Sequence, residues 1–571
     1  MRLIAFAALA VFLATSFRSG WNRAETDFPN YYTAAVLAKK GAPLHDYYNW
    51  TWFQRQMNYA GIENQLGGYI PQTPLTMLPM VPIAGFPVQT AKRIWLLLNL
   101  AFLGATIWML SRLTRFTLAQ VALLAFCGWG SLHTNFLLGQ YYVFLLFLLT
   151  LAFYYESSLF GVALALKLYG APFLFYFAVK RRWKDAAGMI AAALCLTVVA
   201  IAMFGWHNIV YFATQILPRA LEGETLDPYN TGNGTFATLL RRAFVTEPEL
   251  NPHPLWNAPW MFFFLRPLVT LLILIIPLLA LRRSNAPARD FAWFFIAILL
   301  ASPNTASYTF TLLLLPITLL LDDVKPLEQA VLLALYILLT NPMPFPKVWL
   351  VLALFLFAGH RYWRLLSWKP VATATAAATL IALIAAGRSL AAYRQEPGQH
   401  WERIAVQQGA IYSSSPAVLR SGIVYESIGP GHYTLRWLHG GRIDQFQFEG
   451  EALHPVALSP DGPIEFELVA HRTSTTMVLD PATGKLQTAA SRHPQPDQAT
   501  SPDGKWIAFP SANQIWVRSV VEGTVTRLTG GNCNSSSPVW ELDSQALVFA
   551  SDCSRGIGLP ALYRASTPRI P

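Results

Sequence analysis

The sequence predicts a polytopic α-helical membrane protein followed by an all-β domain that lies outside the membrane. Two observations carry this prediction. The chain is 54% hydrophobic and only 13% charged, whereas about a quarter of the residues in a soluble globular protein are charged. The apolar residues form long runs up to about residue 394, and short alternating segments separated by turn residues follow. We therefore divide the chain into a helical region, residues 1–394, and a β region, residues 395–571.

The long apolar runs provide the candidate membrane spans, and we expect about 11–13 transmembrane helices from them. Several runs are shorter than the roughly 20 residues that cross the hydrocarbon layer, so we expect them to be tilted less, broken, or buried inside the bundle. The first run also resembles a signal peptide, but the many later spans favour an uncleaved first helix. The candidate spans are 2–18, 94–111, 117–133, 136–155, 159–179, 186–205, 260–281, 291–303, 307–321, 327–341, 346–360 and 371–391.

Clusters of Lys and Arg between the runs set the orientation, because basic loops stay on the cytoplasmic side. They place loops 19–92 and 206–259 and the β region outside. Three plain crossings between Arg115 and Lys180 would put the second cluster on the wrong side. We therefore predict that span 159–179 is broken near Gly170 and Pro172, which leaves Lys167 inside the bundle. The clusters are Arg112 and Arg115; Lys180, Arg181, Arg182 and Lys184; Arg282, Arg283 and Arg289; Arg361, Arg364 and Lys369.

The net charge of +11 comes largely from these clusters. It indicates contact with membrane lipids and no nucleic-acid partner. The four cysteines show no zinc-binding spacing. Cys533 and Cys553 lie outside the predicted spans, where an oxidising compartment favours a disulfide over two free thiols.

Asp27 stands directly after the first span, in the sequence Glu-Thr-Asp-Phe-Pro-Asn-Tyr-Tyr-Thr-Ala-Ala at 25–35. A carboxylate at a membrane boundary is costly to desolvate unless it has a partner or a chemical role. Two interpretations remain open from the residues alone. Asp27 is either the N-cap of an Ala-rich helix or a general base.

Further landmarks follow in order along the chain. They are Lys-Lys-Gly-Ala-Pro-Leu-His-Asp-Tyr at 39–47, Tyr-Ile-Pro-Gln-Thr-Pro-Leu at 69–75, Leu138-Gly139-Gln140, Gly161 to Lys167 with Pro172, Asn233-Gly234-Thr235 through Arg241-Arg242, and Ser302-Pro303. With the Asp27 segment, this series resembles the GT-C superfamily of glycosyltransferases. More narrowly it resembles glycosyltransferase family 87, the polyprenol-phosphate-mannose-dependent mannosyltransferases of bacteria. The chain departs from the family pattern at Tyr141-Tyr142, at Gly234, and at Ala306, Ser307 and Tyr308, where the family has Trp and His.

The resemblance implies a GT-C fold and the inverting transfer of a hexose, with mannose as the first choice, from a polyprenyl-phosphate donor to an external glycan or glycolipid. Asp27 is then the catalytic base, and no cofactor or divalent metal is expected. The implied location is the bacterial inner membrane, with the β region in the periplasm. The candidate donor and phosphate ligands are Lys167, Arg219, Arg241, Arg242, His207, His133 and Gln140, and the candidate substrate-positioning residues are Tyr31, Tyr32, Asn233, Thr235 and Tyr308.

Other interpretations stay open. The arginines could equally contact lipid headgroups, and the two histidines could be satisfied structural groups. A non-catalytic sensor or scaffold is the alternative function that the missing His favours. A lipid or glycan transporter is the other alternative, although no repeat relates the two halves of the helical region.

The β region contains an internal repeat. Leu-Ser-Pro-Asp-Gly at 458–462 recurs as Thr-Ser-Pro-Asp-Gly at 500–504, and Ser-Ser-Ser-Pro at 413–416 recurs at 535–538. A period of about 40 residues is the length of a four-stranded propeller blade. The repeat resembles those of TolB-like propellers, so we expect about four blades in a propeller-like domain.

Overall fold

The computed structural model describes residues 1–24, 26–62, 65, 67–225, 227–230, 232, 234–407, 412–429, 432–489 and 498–566. Helices occupy the chain as far as Tyr393, and the first strand begins at Glu402. The first ten helices are α1 Arg2–Phe12, α2 Arg18–Asn22, α3 Phe28–Lys39, α4 Trp50–Tyr59, α5 Val88–Leu113, α6 Leu118–Cys127, α7 Trp129–Leu138, α8 Tyr142–Tyr154, α9 Leu159–Lys167 and α10 Phe173–Val179. The next ten are α11 Trp183–Phe204, α12 Trp206–Tyr211, α13 Leu217–Leu221, α14 Phe236–Phe244, α15 Pro259–Leu281, α16 Pro287–Ala301, α17 Leu314–Asp322, α18 Pro326–Thr340, α19 Val348–Gly359 and α20 Trp368–Tyr393.

Fewer helices have the length of a membrane span than the sequence led us to expect. In the described part of the chain, five are long and apolar enough: Arg2–Asn22, Val88–Leu113, Trp183–Phe204, Pro259–Leu281 and Trp368–Tyr393. Helices α6 and α7 give a sixth if they count as one span bent by 78°. The expected 11–13 is therefore not supported by length. Many apolar runs reflect burial inside the bundle instead, as in α16, where residues 290–300 are all buried.

The predicted break in span 159–179 is present. Helix α9 ends at Lys167 and α10 begins at Phe173, with Pro172 at its N-cap position. Gly170 allows the close approach, because a Cβ there would lie 2.3 Å from the carbonyl oxygen of Phe160. The bend at Gly128, between α6 and α7, was not predicted.

The basic clusters meet at one end of the helical region. Arg115 lies 3.3 Å from Asp322, and Arg289 pairs with the adjacent Asp323. Lys180 pairs with Asp290. From the last cluster, Arg361 lies 2.6 Å from Glu328, and Leu365 accepts a hydrogen bond from Arg283. These contacts place the basic clusters at the same end of the helical region, as the positive-inside prediction requires.

The β region consists of four separate four-stranded antiparallel sheets, in the orders β2-β3-β4-β5, β6-β7-β8-β9, β10-β11-β12-β13 and β1-β16-β15-β14. The two copies of Ser-Pro-Asp-Gly connect the first and second strands of the second and third sheets, which accounts for the repeat. Four repeat units are thus present, but the described residues do not show a closed propeller. The strands are β1 Glu402–Arg403, β2 Tyr412–Leu419, β3 Gly422–Gly429, β4 His432–His439, β5 Arg442–Gln447, β6 Glu451–Ala457, β7 Ile464–Ala470, β8 Thr473–Leu479, β9 Leu486–Thr488, β10 Ala499–Thr500, β11 Trp506–Ser511, β12 Gln514–Ser519, β13 Val525–Arg527, β14 Ser535–Trp540, β15 Ala546–Ser551 and β16 Ala561–Ser566.

Candidate active site

Asp27 stands at the N-cap position of α3, but its side chain makes no capping hydrogen bond. Its backbone N–H donates to the carbonyl oxygen of Leu138, at 3.2 Å, which fixes the start of α3 against the end of α7. The carboxylate instead accepts a hydrogen bond from the side-chain amide of Gln140. Asp27 therefore occupies the cap position, but its carboxylate does not hydrogen-bond to the helix backbone.

Gln140 joins Asp27 to Tyr31. Its Oε1 accepts from the Tyr31 hydroxyl at 2.9 Å while its Nε2 donates to Asp27. Gly139 makes this arrangement possible, because it ends α7 in the left-handed conformation, with φ +65°. A Cβ at Gly139 would lie 2.8 Å from the Cβ of Phe28, so only glycine lets α3 approach this closely.

The environment of Asp27 gives its carboxylate a raised affinity for protons. Burial raises the pKa of Asp27 above its ordinary value, and the Gln140 hydrogen bond and the Arg23 charge oppose that rise only in part. A carboxylate with a raised pKa is a stronger general base once it is ionised.

Lys167 lies beside this carboxylate site, inside a set of aromatic rings. Its ammonium is 5.4 Å from the centre of the Tyr142 ring, 5.8 Å from that of Tyr31 and 6.0 Å from that of Tyr141. It also donates to the side-chain oxygen of Gln72. Among the described residues, no carboxylate forms an ion pair with Lys167. A half-buried cation whose described contacts are one amide oxygen and aromatic rings favours an anionic ligand.

Tyr308 packs against Tyr142, one of the aromatic rings around Lys167. Its ring centre lies 5.2 Å from that of Tyr142, and its backbone carbonyl accepts from Asn135 at 2.9 Å. We call Tyr31, Tyr141, Tyr142 and Tyr308 the tyrosine wall. The structure thus brings together the predicted residues Asp27, Gln140, Lys167, Tyr31 and Tyr308.

The predicted arginines lie elsewhere. Arg219 is buried 2.6 Å from Glu224 and 3.0 Å from Asp552 of the β region. Arg241 is buried 3.4 Å from Glu224, and Arg242 donates to the carbonyl of Tyr229 at 2.9 Å. A buried guanidinium needs a counter-charge, and Glu224 and Asp552 supply it to Arg219 and Arg241.

The other described residues among the predicted ones lie outside this group. His133 contacts Ser16 at 2.9 Å, and His207 is exposed on α12. The Tyr32 hydroxyl donates to the carbonyl of Phe86 at 2.8 Å. Thr235 caps α14 and also donates to the carbonyl of Pro303. Asn233 lies outside the described residues.

Sequence reasoning missed Gln72, Tyr141 and Tyr142 as members of the site. In the sequence, Tyr141 and Tyr142 are departures from the family pattern that follow Gln140. Gln72 belongs to a proline-rich segment whose path the sequence does not define. The position of Tyr141 and Tyr142 directly after Gln140 is the sequence signal that points toward the site.

The arrangement suits transfer of a group from an anionic substrate. Asp27 can accept a proton, Lys167 can hold an anion, and tyrosine rings and hydroxyls can contact a sugar.

Lys167 lies away from the basic end of the bundle. Helix α9 starts near that end, where Ser157 hydrogen-bonds to Asp185. Its nine residues carry Lys167 about 13 Å away from that end.

Comparison with known proteins gives one family match. The model of glycosyltransferase family 87 matches residues 71–303, which include Gln72, Gln140 and Lys167. The match covers less than half of the chain. With the apolar helices, it supports a membrane glycosyltransferase.

The β region has weak structural likenesses. TolB from Acinetobacter baumannii is 20% identical over 27% of this chain and 43% of its own, with a TM-score of 0.14. A putative TolB from Agrobacterium tumefaciens is 20% identical over 28% of this chain and 59% of its own, also with a TM-score of 0.14. The chain thus spans about half the length of these proteins. No curated protein matches the chain.

Proposed function

We propose that this protein is an inverting membrane glycosyltransferase that moves a hexose, with mannose as the first candidate, from a polyprenyl-phosphate donor to an external glycan or glycolipid. The observation that carries the proposal is the Asp27–Gln140–Tyr31 chain beside Lys167. It supplies a base and an anion-binding cation within one group of aromatic side chains. The family match supports the general class of reaction.

Each residue has a defined task in the proposed reaction. The ionised Asp27 carboxylate takes the proton of an acceptor hydroxyl as its oxygen bonds to the anomeric carbon of the donor sugar. The bond from that carbon to the phosphate oxygen breaks, and the lipid phosphate leaves with the electron pair. Lys167 and the tyrosine hydroxyls stabilise the charge that develops on this phosphate. Tyr308, where the family has His, contributes a hydroxyl donor to the same task, and the transfer needs no metal ion.

We also propose that the basic end of the bundle faces the cytoplasm and the β region faces the periplasm of a bacterial inner membrane. The contacts among the four basic clusters support this orientation. The Cys533–Cys553 disulfide supports an oxidising compartment for the β region. Four sheets of four strands support a propeller-like arrangement of the β region.

The donor is tested with purified protein in lipid nanodiscs. Polyprenyl-phosphate mannose, polyprenyl-phosphate glucose and the corresponding nucleotide sugars are supplied separately, with transfer to a glycolipid acceptor as the readout. We expect transfer only from lipid-linked sugars, and a loss of about 100-fold or more in Lys167→Met, since the variant removes the cation that we propose binds the phosphate.

Lys347→Met is the matched control, because Lys347 also lies against an aromatic ring, 5.3 Å from the centre of Phe310, and donates to the carbonyl of Leu339. It should retain near-normal transfer. Use of a nucleotide sugar, or equal activity in Lys167→Met and the unaltered protein, contradicts the proposed donor site.

A further inference from the structure

A four-residue segment of the β region makes dense contacts with the helical region. This docking segment, residues 552–555, has the sequence Asp-Cys-Ser-Arg. Asp552 lies 3.0 Å from Arg219, and the Ser554 hydroxyl donates to Glu396, on the connection that follows α20, at 2.9 Å. Arg555 pairs with Glu247, at 3.0 Å, and with Glu249. Asp552 and Arg555 thus contact two points of the helical region, and Ser554 contacts the connection that joins the two regions.

These contacts are buried. The side chain of Asp552 is 2% exposed and that of Arg219 is 6% exposed. The backbone carbonyl of Ser554 also accepts from the Tyr229 hydroxyl, at 3.1 Å. Removal of one partner from such a pair leaves an uncompensated buried charge, which is strongly unfavourable. The docking segment is therefore a fixed attachment rather than a loose surface contact.

The disulfide holds the docking segment in shape. Cys553, its second residue, is bonded to Cys533. Asp552 accepts the backbone N–H groups of Asn534, at 2.8 Å, and Gly558, at 2.7 Å, one on each side of the cross-link. The carboxylate that pairs with Arg219 is thus oriented by a covalently closed turn, and both cysteines are buried.

Arg219 connects the docking segment to the active site. Next to it, the carbonyl of Ala220 accepts from Asn304 at 3.4 Å. Thr225, which follows Glu224, donates to the side-chain oxygen of Asn304 at 3.0 Å. Asn304 lies four residues before Tyr308, in the connection 302–306 between α16 and the 3-10 helix Ser307–Leu313, and we call this connection the Tyr308 loop.

A second link reaches the same loop. Thr235, at the start of α14, donates to the carbonyl of Pro303 at 3.2 Å. Arg241 of α14 shares Glu224 with Arg219. The ion pairs around Glu224 therefore hold two segments that both contact the Tyr308 loop, and Tyr308, which lies against Tyr142, follows directly after that loop.

We propose that the docking segment is a positioning element for the active site, so that the β region holds the Tyr308 loop in the geometry that sugar transfer needs. This inference rests on the proposed function for its catalytic consequence. Asp552 and Arg219 are positioning residues and do not touch the substrate. Tyr308 is the group through which they act, because a small displacement of a phosphate-binding hydroxyl lowers the rate of the chemical step.

The test compares Asp552→Asn with Asp461→Asn in full-length protein in nanodiscs. Asp461 forms an ion pair with Arg420 at 2.8 Å, and both side chains are exposed on the β region. Hydrogen–deuterium exchange of residues 302–308 is measured without substrate, so this readout does not depend on the proposed reaction. We expect faster exchange in Asp552→Asn only.

Turnover is measured in the same preparations. We expect Asp552→Asn to lower kcat about tenfold with little change in the donor Kd, and Asp552→Glu to recover part of the loss. Asp461→Asn should match the unaltered protein. Unchanged exchange in Asp552→Asn overturns the link between the docking segment and the Tyr308 loop. Faster exchange with unchanged kcat overturns the positioning role, and a complete absence of transfer in the unaltered protein overturns the proposed function instead.

Discussion

Replacement of Gln140 by leucine tests whether the amide of Gln140 controls the protonation of Asp27. The Gln140 Nε2 donates to the Asp27 carboxylate, and this bond opposes the rise in the pKa of Asp27 that burial causes. A hydrogen bond to a charged group contributes about 1.5–3 kcal/mol. Since about 1.4 kcal/mol is a tenfold change in proton affinity, its loss should raise the proton affinity of Asp27 by about tenfold or more.

The general base acts only when it is ionised, so activity rises with pH as Asp27 loses its proton. In Gln140→Leu, the acid limb of the profile of kcat/KM against pH should therefore shift to higher pH by about one pH unit. Tyr31→Phe serves as the milder comparison variant. It removes the hydrogen bond from Tyr31 to Gln140 and keeps the hydrogen bond from Gln140 to Asp27. An active Gln140→Leu enzyme whose acid limb coincides with that of the unaltered protein refutes the reasoning.

Two further predictions concern stability and packing. Burial raises the pKa of Glu396 to about 8 and that of Glu451 to about 8. Their contribution to the free energy of unfolding is complete below the ordinary value of 4.5 and is lost as the pH rises through about 8. The thermal unfolding midpoint should therefore decrease as the pH rises from 5 to 9. The double variant Glu396→Gln, Glu451→Gln should show a smaller decrease. A midpoint that increases over this pH range contradicts the assignment. Gly139→Ala should lower transfer at least tenfold, because a Cβ would press on Phe28 and φ is +65°. Gly104→Ala is the control and should have no effect, because no other part of the protein lies within 4 Å of the new Cβ. Equal activities of the two variants contradict the close approach of α3 and α7.

Local features of the chain were predictable from sequence. Gly170 and Pro172 mark the break between α9 and α10, because their backbone constraints act without help from distant residues. The Ser-Pro-Asp-Gly repeat marked recurrent turns for the same reason. Lys167 could be placed inside the bundle because the basic clusters restrict the number of crossings.

Partners that are distant in the sequence were not predictable. Arg219 was expected to bind phosphate, yet its buried partner Asp552 lies 333 residues away. The sequence shows the cation and the carboxylate but not their contact. Apolar runs likewise report burial without distinguishing lipid from protein, so the sequence leaves open whether a short run such as that of α16 crosses the membrane or is buried inside the bundle.

The most direct test of the central claim is sugar transfer by Asp27→Asn in nanodiscs, with polyprenyl-phosphate mannose as the donor. The exchange keeps the size of the side chain and removes the base. Asp46→Asn is the control, because Asp46 lies in the same segment, residues 19–92, but contacts His45 at 3.1 Å. We predict that Asp27→Asn binds the donor and folds normally but transfers sugar at less than about one-hundredth of the normal rate, while Asp46→Asn remains active. Full turnover by a folded Asp27→Asn protein would contradict the assignment of Asp27 as the base.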